Sequence, residues 1–348
     1  MVLTRRPNGH RPTLEDVARR SGVSKSTVSR VINAEPRVRA EVIDRVREVI
    51  AELGYVPNQA ARQLVTHRTG AVAVVATQPE NRLFLDPFFD CLLRGIRREL
   101  ARHGAQAVLL FLDEPDDHAR VADYLGGGHV DGALLFSLRP GDRLPEMVDR
   151  LALPAVFGGR PLLRDGDPVR GGQAYVDGDN RGGARQAVQH LVSLGRSRVA
   201  TITGPYDQEN SAADRLAGYR DVLPGAPAHL IEKADYTQRG GADAMAALLR
   251  RCPDLDAVFV ASDLMASGAL QALREHGRRV PQDVAVVGFD DLREIAESTE
   301  PPLTTVHQDV EEMGRLMARL LFDRTEKPDA PPGSSVVVPT RLVLRESA

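Results

Sequence analysis

TLEDVARRSGVSKSTVSRVIN, residues 13–33, decides how this 348-residue chain is read. Thr13 supplies a hydroxyl N-cap, and Asp16, three residues on, makes an approximate capping box. Leu14, Val17 and Ala18 then share one helical face. Gly22-Val23 breaks the helix, since glycine tolerates the sharp backbone and Val23 can plug the angle that follows. Ser24 caps a second helix with an inward stripe of Val28, Val31 and Ile32. The pattern is a helix-turn-helix, whose second helix enters the DNA major groove and offers residues near its N-terminus to base edges. The outward face here is Lys25, Ser26, Thr27, Ser29 and Arg30, all short donors or cations. A plain αα-corner is the bland alternative, and the rest of the chain weighs against it.

Charge is divided unevenly along the chain. The net charge is −3, yet residues 1–70 carry 13 Lys+Arg against 7 Asp+Glu, and the remainder 32 against 41. A small basic head on a larger acidic body suits a phosphate-binding module joined to a domain with another task. The length predicts two or three domains with ample core. No N-terminal apolar h-region and no run of about 18 apolar residues occurs, so a cytoplasmic protein is expected, neither secreted nor membrane-spanning. Cys91 and Cys252 stand far apart and read as buried, reduced thiols.

A third helix is predicted over about 40–53, with Val42, Ile43, Val46, Val49, Ile50 and Leu53 on one stripe and Gly54 ending it. After Tyr55-Val56-Pro57, residues 58–64 form a candidate helix of barely two turns, marginal alone in water. The motifs DVARRSGVSKSTVSRVIN, YVPNQAARQL, GRP, DRLAGY, ASDLMASGAL, PQDVAVVGFDD and PPLTTVHQD span nearly the whole chain from Thr13. In these the chain resembles the LacI/GalR family of bacterial transcription regulators.

The resemblance implies roles by position. Lys25, Ser26 and Arg30 occupy base-reading positions, with Arg30 best placed for a bidentate guanine contact worth roughly 1–3 kcal/mol of discrimination. Thr13, Ser24, Thr27, Ser29, Asn33 and Tyr55 fall at phosphate contacts. YVPNQAARQL is implied to fold on DNA as a hinge helix, two copies side by side in the minor groove. Asn58 belongs to that DNA-binding set, Ala61 is small enough to let the copies approach, and Leu64 wedges between base pairs. A linker residue packed on the next domain is the alternative for Leu64. Arg39 departs from the family's Ser or Thr cap on the third helix, which weakens that cap by about 1 kcal/mol unless Arg39 reaches a phosphate.

From Gly70 the pattern changes. Strands are predicted at 70–77, 106–112, 131–137, 154–158, 198–203, 257–262 and 283–289. Helices lie near 88–103, 116–125, 180–194, 212–223, 238–251 and 264–276, and segments 303–309 and 335–344 return late. Continuous Val/Ala/Leu strands, each followed by a helix, indicate parallel sheets covered on both faces. The expected fold is an all-α helix-turn-helix DNA-binding head plus an α/β two-lobed body of two doubly wound parallel sheets. The resemblance likens that body to periplasmic binding proteins. The expected divisions are a tail at 1–12, the head at 13–56, a hinge and linker at 57–69, and the body at 70–348. Lobe 1 is expected over about 70–171 plus 309–324, lobe 2 over about 172–305 plus 330–345.

Ligands in such folds bind beyond the carboxyl ends of the strands, here between the lobes. Phe88 is a candidate to stack on a ligand ring, while Phe89 reads as core. Ser137 and Arg160 end the third and fourth strands, although Ser137 alternatively closes a turn. The resemblance implies that Arg215, in DRLAGY, grips the effector with its planar donor fork. Ser262 and Asp263 follow another strand, Asp263 being either a ligand contact or a helix N-cap. Asp290, in GFDD, is placed to accept a pair of sugar hydroxyls, Gln308 lies in the crossover, and Asp291 is expected to face solvent. Glu209 stands where nucleobase-binding relatives carry Arg, which counts against a purine effector.

Other motifs carry no chemistry. Gly126-Gly127-Gly128 precedes a strand rather than a phosphate-holding helix N-terminus. No nucleophile elbow, His-Glu-x-x-His or Cys/His ligand set is present, so no catalytic residue, cofactor or metal is expected. His307 reads as structural, and Asp177 and Asp179 as helix caps. The expectation is a homodimeric regulator, a repressor on a palindromic double-stranded operator, governed by a carbohydrate effector through coupling between cleft and hinge. The absence of Leu heptads near Ala348 predicts a dimer rather than a tetramer. The alternative is a catabolite-type regulator of the same family, with a phosphorylated carrier protein as co-effector.

Overall fold

The computed structural model describes residues 12–32, 38–56, 68–77, 85–112, 117–136, 142–161, 173–326 and 335–348. The chain divides into two compact units, Met1–Thr69 and Gly70–Ala348.

In the first unit the described helices are α1 (Leu14–Ser21), α2 (Lys25–Ile32) and α3 (Ala40–Leu53). The capping box forms: the Asp16 N–H donates to the Thr13 hydroxyl at 3.3 Å, and the Thr13 N–H donates to the Asp16 carboxylate at 2.9 Å. Gly22, at φ 70°, ends α1 in the left-handed region where a side chain would be strained. Arg39 precedes α3 and makes no side-chain cap. Val17, Ala18, Val28, Val31, Val46 and Val49 form a small core that also takes in Tyr55.

The second unit is two sheets with helices on both faces. Its elements begin β1 (Ala71–Ala76), α4 (Pro87–Arg102), β2 (Gln106–Phe111), α5 (Asp117–Gly126), β3 (Gly132–Phe136), α6 (Leu144–Arg150), β4 (Ala155–Gly158) and β5 (Ala174–Gly178). They continue α7 (Asn180–Ser193), β6 (Val199–Thr203), α8 (Asn210–Val222), β7 (Ile231–Lys233), α9 (Gln238–Arg251), β8 (Ala257–Val260), α10 (Asp263–Glu275) and β9 (Ala285–Asp290). The chain closes with α11 (Arg293–Ala296), β10 (Thr304–His307), α12 (Val310–Glu326), β11 (Val336–Val338) and β12 (Arg341–Val343). Among the described residues the first sheet is ordered β11-β5-β4-β3-β1-β2 and the second β12-β10-β9-β8-β6-β7. Pairing is parallel throughout, except that β12 runs antiparallel to β10.

Two sequence expectations are corrected here. The change of lobe, expected at 172, comes after β5, because Ala174 and Val176 pair with β4 and bury in the first lobe's core. Segment 335–344 splits instead of returning whole: β11 joins the first sheet and β12 the second. Pro339 lies between them and has no N–H to continue a ladder. The short elements α6, β5 and β7 carry too little periodicity to have been read from sequence.

Helix α12 crosses back after β10, and Met313, Met317, Ala318 and Leu321 enter the first lobe's core. Gly95 on α4 and Gly314 on α12 make this possible, since a Cβ at either would strike the other helix's backbone. Each lobe thus aims its strands' carboxyl ends at one cleft.

Candidate functional site

Between the lobes lies a cleft of about 1000 Å³ including its mouth. Of the expected contacts, Phe88, Arg160, Arg215, Ser262, Asp290 and Gln308 line it. Phe89, read as core, does both: it is buried and also lines the wall. Ser137 lies outside the described residues.

The floor is a continuous hydrogen-bonded chain that starts in one lobe and ends at the crossover. Asp177, at the end of β5, accepts from the Arg160 N–H at 3.0 Å and from Asn180 Nδ2 at 2.8 Å. The Asn180 carbonyl accepts from Arg215 Nε at 2.8 Å. Arg215 Nη2 lies 3.3 Å from Asp290, whose Oδ1 also accepts from Gln308 Nε2 at 2.6 Å. The guanidinium further donates to the Ala261 carbonyl and sits 3.7 Å from the Phe289 ring centroid. Arg215 was expected to spend its fork on the ligand. It lines the cleft, but most of that fork is engaged by the protein.

Arg160 bridges the lobes. Its Nη2 donates to both Asp214 oxygens, at 2.8 and 2.9 Å, and its carbonyl accepts from Asn210 Nδ2 at 2.6 Å. Asp214 and Asn210 belong to α8 of the second lobe.

Burial governs the acids. It pushes the Asp290 carboxyl up to about 7, against the opposing pull of Arg215. It also raises Asp177, against hydrogen bonds from the Arg160 and Gly178 N–H groups. Asp290 and Asp291 both have positive φ, 111° and 56°, a strained corner for non-glycine residues.

Three readings of acids are corrected. Asp263 neither lines the cleft nor caps a helix: Ser262 is the cap, accepting from the Met265 N–H at 3.2 Å, and Asp263 is buried behind the wall. Asp291 does not face solvent, because it pairs with Arg345 at 2.6 Å and His307 at 3.0 Å. Those two hydrogen bonds hold its carboxyl below the usual range although burial works the other way. Asp179 caps α7 as expected, but Asp177 belongs to the cleft. Asp86, Asn180, Asn210 and Tyr236 also line the cleft, although none of them was among the candidates from sequence. Recognising β5 would have placed Asp177 and Asn180 at a strand's carboxyl end.

On the first unit, Ser24 accepts from the Thr27 N–H at 3.1 Å, and its hydroxyl lies 2.8 Å from those of Ser26 and Thr27. Lys25 pairs with Glu15 at 3.0 Å, both more than half exposed. Thr13 and Arg30 are exposed and Ser29 half-buried. Tyr55 is buried in the head's core, so packing is its first role. Asn33, Asn58, Ala61 and Leu64 lie outside the described residues. Among the described residues, no helix is long and apolar enough to cross a membrane, and no three His, Cys, Asp or Glu side chains gather as a metal site.

Residues 13–58 match the family described as bacterial regulatory proteins, lacI family, and residues 188–348 a periplasmic binding protein-like domain. The chain is similar to the HTH-type transcriptional regulator CelR of Thermobifida fusca, 48% identical over 97% of this chain and 98% of that one. A solved transcriptional regulator CelR–cellobiose complex aligns at TM-score 0.75 and 46% identity, over 97% of this chain and 100% of that one. The lac repressor dimer bound to operator and the anti-inducer ONPF aligns at TM-score 0.81 and 28% identity, over 97% and 99%.

Proposed function

The chain belongs to the LacI family of bacterial regulatory proteins, and from that footing we propose a repressor whose hold on its operator is set by a neutral sugar in the cleft. It is a DNA-binding transcriptional regulator. Lys25, Ser26 and Arg30 meet base edges, and Thr13, Ser24, Thr27, Ser29, Asn33 and the Tyr55 hydroxyl meet phosphates. Asn58, Ala61 and Leu64 complete the DNA contact in the minor groove. Two copies of the chain bind a palindromic site, as two-fold symmetry requires.

The observation that carries the effector reading is the Asp177–Asn180–Arg215–Asp290–Gln308 chain across the cleft floor. Carboxylates and amides fixed by buried partners are suited to a polyol, whose hydroxyls donate and accept in turn. The Phe88 ring supplies an apolar face for a pyranose. Cellobiose, which the similar CelR complex contains, is the effector class of choice. Asp86, Asp177, Glu209 and Asp290 outnumber the two lining guanidiniums, and each guanidinium already faces a carboxylate. A phosphorylated sugar therefore meets a net negative wall.

Sugar binding biases the lobes through the Arg160 bridge, and the body and head exchange that bias as a coupling free energy. Calorimetric titration of the full-length protein tests the reading. Cellobiose is expected to bind and its phosphorylated counterpart to fail. Tighter binding of the phosphorylated sugar, or no binding of any saccharide, overturns it.

A further inference from the structure

Two consecutive left-handed residues, Asp290 and Asp291, form the corner between β9 and α11. Such a corner persists only where its surroundings over-determine it. Gln308 holds the Asp290 carboxylate, and its backbone N–H reaches the Asp290 carbonyl at 3.4 Å, before the second strained residue; Arg345 grips only the Asp291 side chain. The backbone beyond the corner is fixed by another group. The Leu292 N–H, the first after the two strained residues, donates to Asp263 Oδ2 at 2.9 Å. The other oxygen, Oδ1, accepts from the Thr305 hydroxyl at 2.5 Å. Asp263 is 0% exposed. Gly288, two residues before the corner, has no room for a Cβ because Oδ1 of Asp263 occupies that space. One carboxyl thus touches the strand before the corner, the backbone after it, and the neighbouring strand β10.

We infer that Asp263 is a positioning residue for effector recognition: it touches no ligand, and it locks the corner so that the Asp290 carboxylate points into the cleft. This inference rests on the sugar reading of the cleft. The required chemistry is an acceptor for the Leu292 N–H and a polar partner for Thr305; a formal charge on Asp263 is not needed. Burial, followed by the nearby Asp290 charge, raises the Asp263 carboxyl well above the usual range, in keeping with a neutral acid there.

The test compares Asp263→Asn and Asp263→Leu in the full-length protein by cellobiose calorimetry. Asparagine keeps a carbonyl for Leu292 and an amide for Thr305; leucine keeps only the volume. Asp263→Asn is expected to stay within about threefold of the parent affinity, and Asp263→Leu to lose about tenfold to a hundredfold, the effect of stranding a buried donor. Equal losses in both variants, or parent affinity in Asp263→Leu, overturn the inference. Should the leucine variant fail to fold, Thr305→Val removes the clamp on Asp263 while preserving shape, and an unchanged sugar affinity there overturns it equally. If the parent protein binds no cellobiose, the sugar reading fails on its own. The positioning role is then read from amide hydrogen exchange at Leu292, which must accelerate in Thr305→Val and stay slow in Asp263→Asn; no acceleration overturns the inference.

Discussion

The head and the cleft both carry charged recognition groups, and they hold them in opposite ways. On the head, Lys25–Glu15 and Arg20–Glu52 are ion pairs with every partner more than half in water. Such pairs contribute about 0–1 kcal/mol and are screened by salt, so the cations are easily handed over to phosphates and bases. On the cleft floor, Arg215 and Asp290 are 5% exposed each, and their own contacts go to the buried Asn180, Ala261 and Gln308. Removing one member strands the other. Exchangeable charge suits a polyanion such as DNA, and pre-set charge suits a small polar ligand.

The sharpest way to break this contrast is Arg215→Met. Folding stability of the body should fall by about 3–5 kcal/mol, seen in thermal or denaturant unfolding, because Asp290 is left buried without its cation. Parent-like stability would place Arg215 among the exchangeable groups. Asp290→Asn should be gentler on the fold, since asparagine tolerates positive φ and keeps the oxygen that accepts from Gln308. It should weaken sugar binding by about 1.5–3 kcal/mol in calorimetry, the range for hydrogen bonds to a charged group.

The same residue predicts a pH dependence. Burial pushes the Asp290 carboxyl up to about 7 in the folded protein, and its ionised form is the acceptor proposed for sugar hydroxyls. Bound sugar therefore lowers its pKa, and affinity should fall as pH drops from 8 to 6, a trend lost in Asp290→Asn. Stability carries the opposite sign. The folded pKa lies above the unfolded carboxylate value of about 4, so this group's stabilisation is greatest in acid and is lost as pH rises through 7.

On the head, Arg30→Ala should cost about 1–3 kcal/mol of operator binding and relax discrimination at one base position, measured against a set of single-base operator variants. Glu15→Gln sharpens the comparison at its weak end. By releasing Lys25 it should tighten non-specific DNA binding by less than about 1 kcal/mol, with the effect vanishing at high salt. A large, salt-resistant change would mean that the Lys25–Glu15 pair is not a loose one.

The head's fold was legible because its signals are local: a hydroxyl cap, a glycine stop and a 3.6-residue stripe all lie within 21 residues. The parallel sheets were legible too, from runs such as AVAVV and AVVGF that are buried on both faces. What escaped was non-local. Nothing in AYVDG says that β5 pairs with β4 before the chain changes lobe. Without β5, Asp177 reads as a helix cap and Asn180 as the start of a helix. Asp263 was suspected of meeting the ligand because it follows a strand end, but only the structure places Leu292 and Thr305 around it. Asp291 looked exposed because its partner Arg345 is 54 residues away in sequence.

The cleft and the head are proposed to exchange free energy. Operator affinity of the full-length protein, measured by fluorescence anisotropy with and without saturating cellobiose, tests it most directly. A change of roughly 5–150-fold is expected, with operator DNA altering sugar affinity by the same factor. Sugar demonstrably bound while operator affinity stays constant would contradict it.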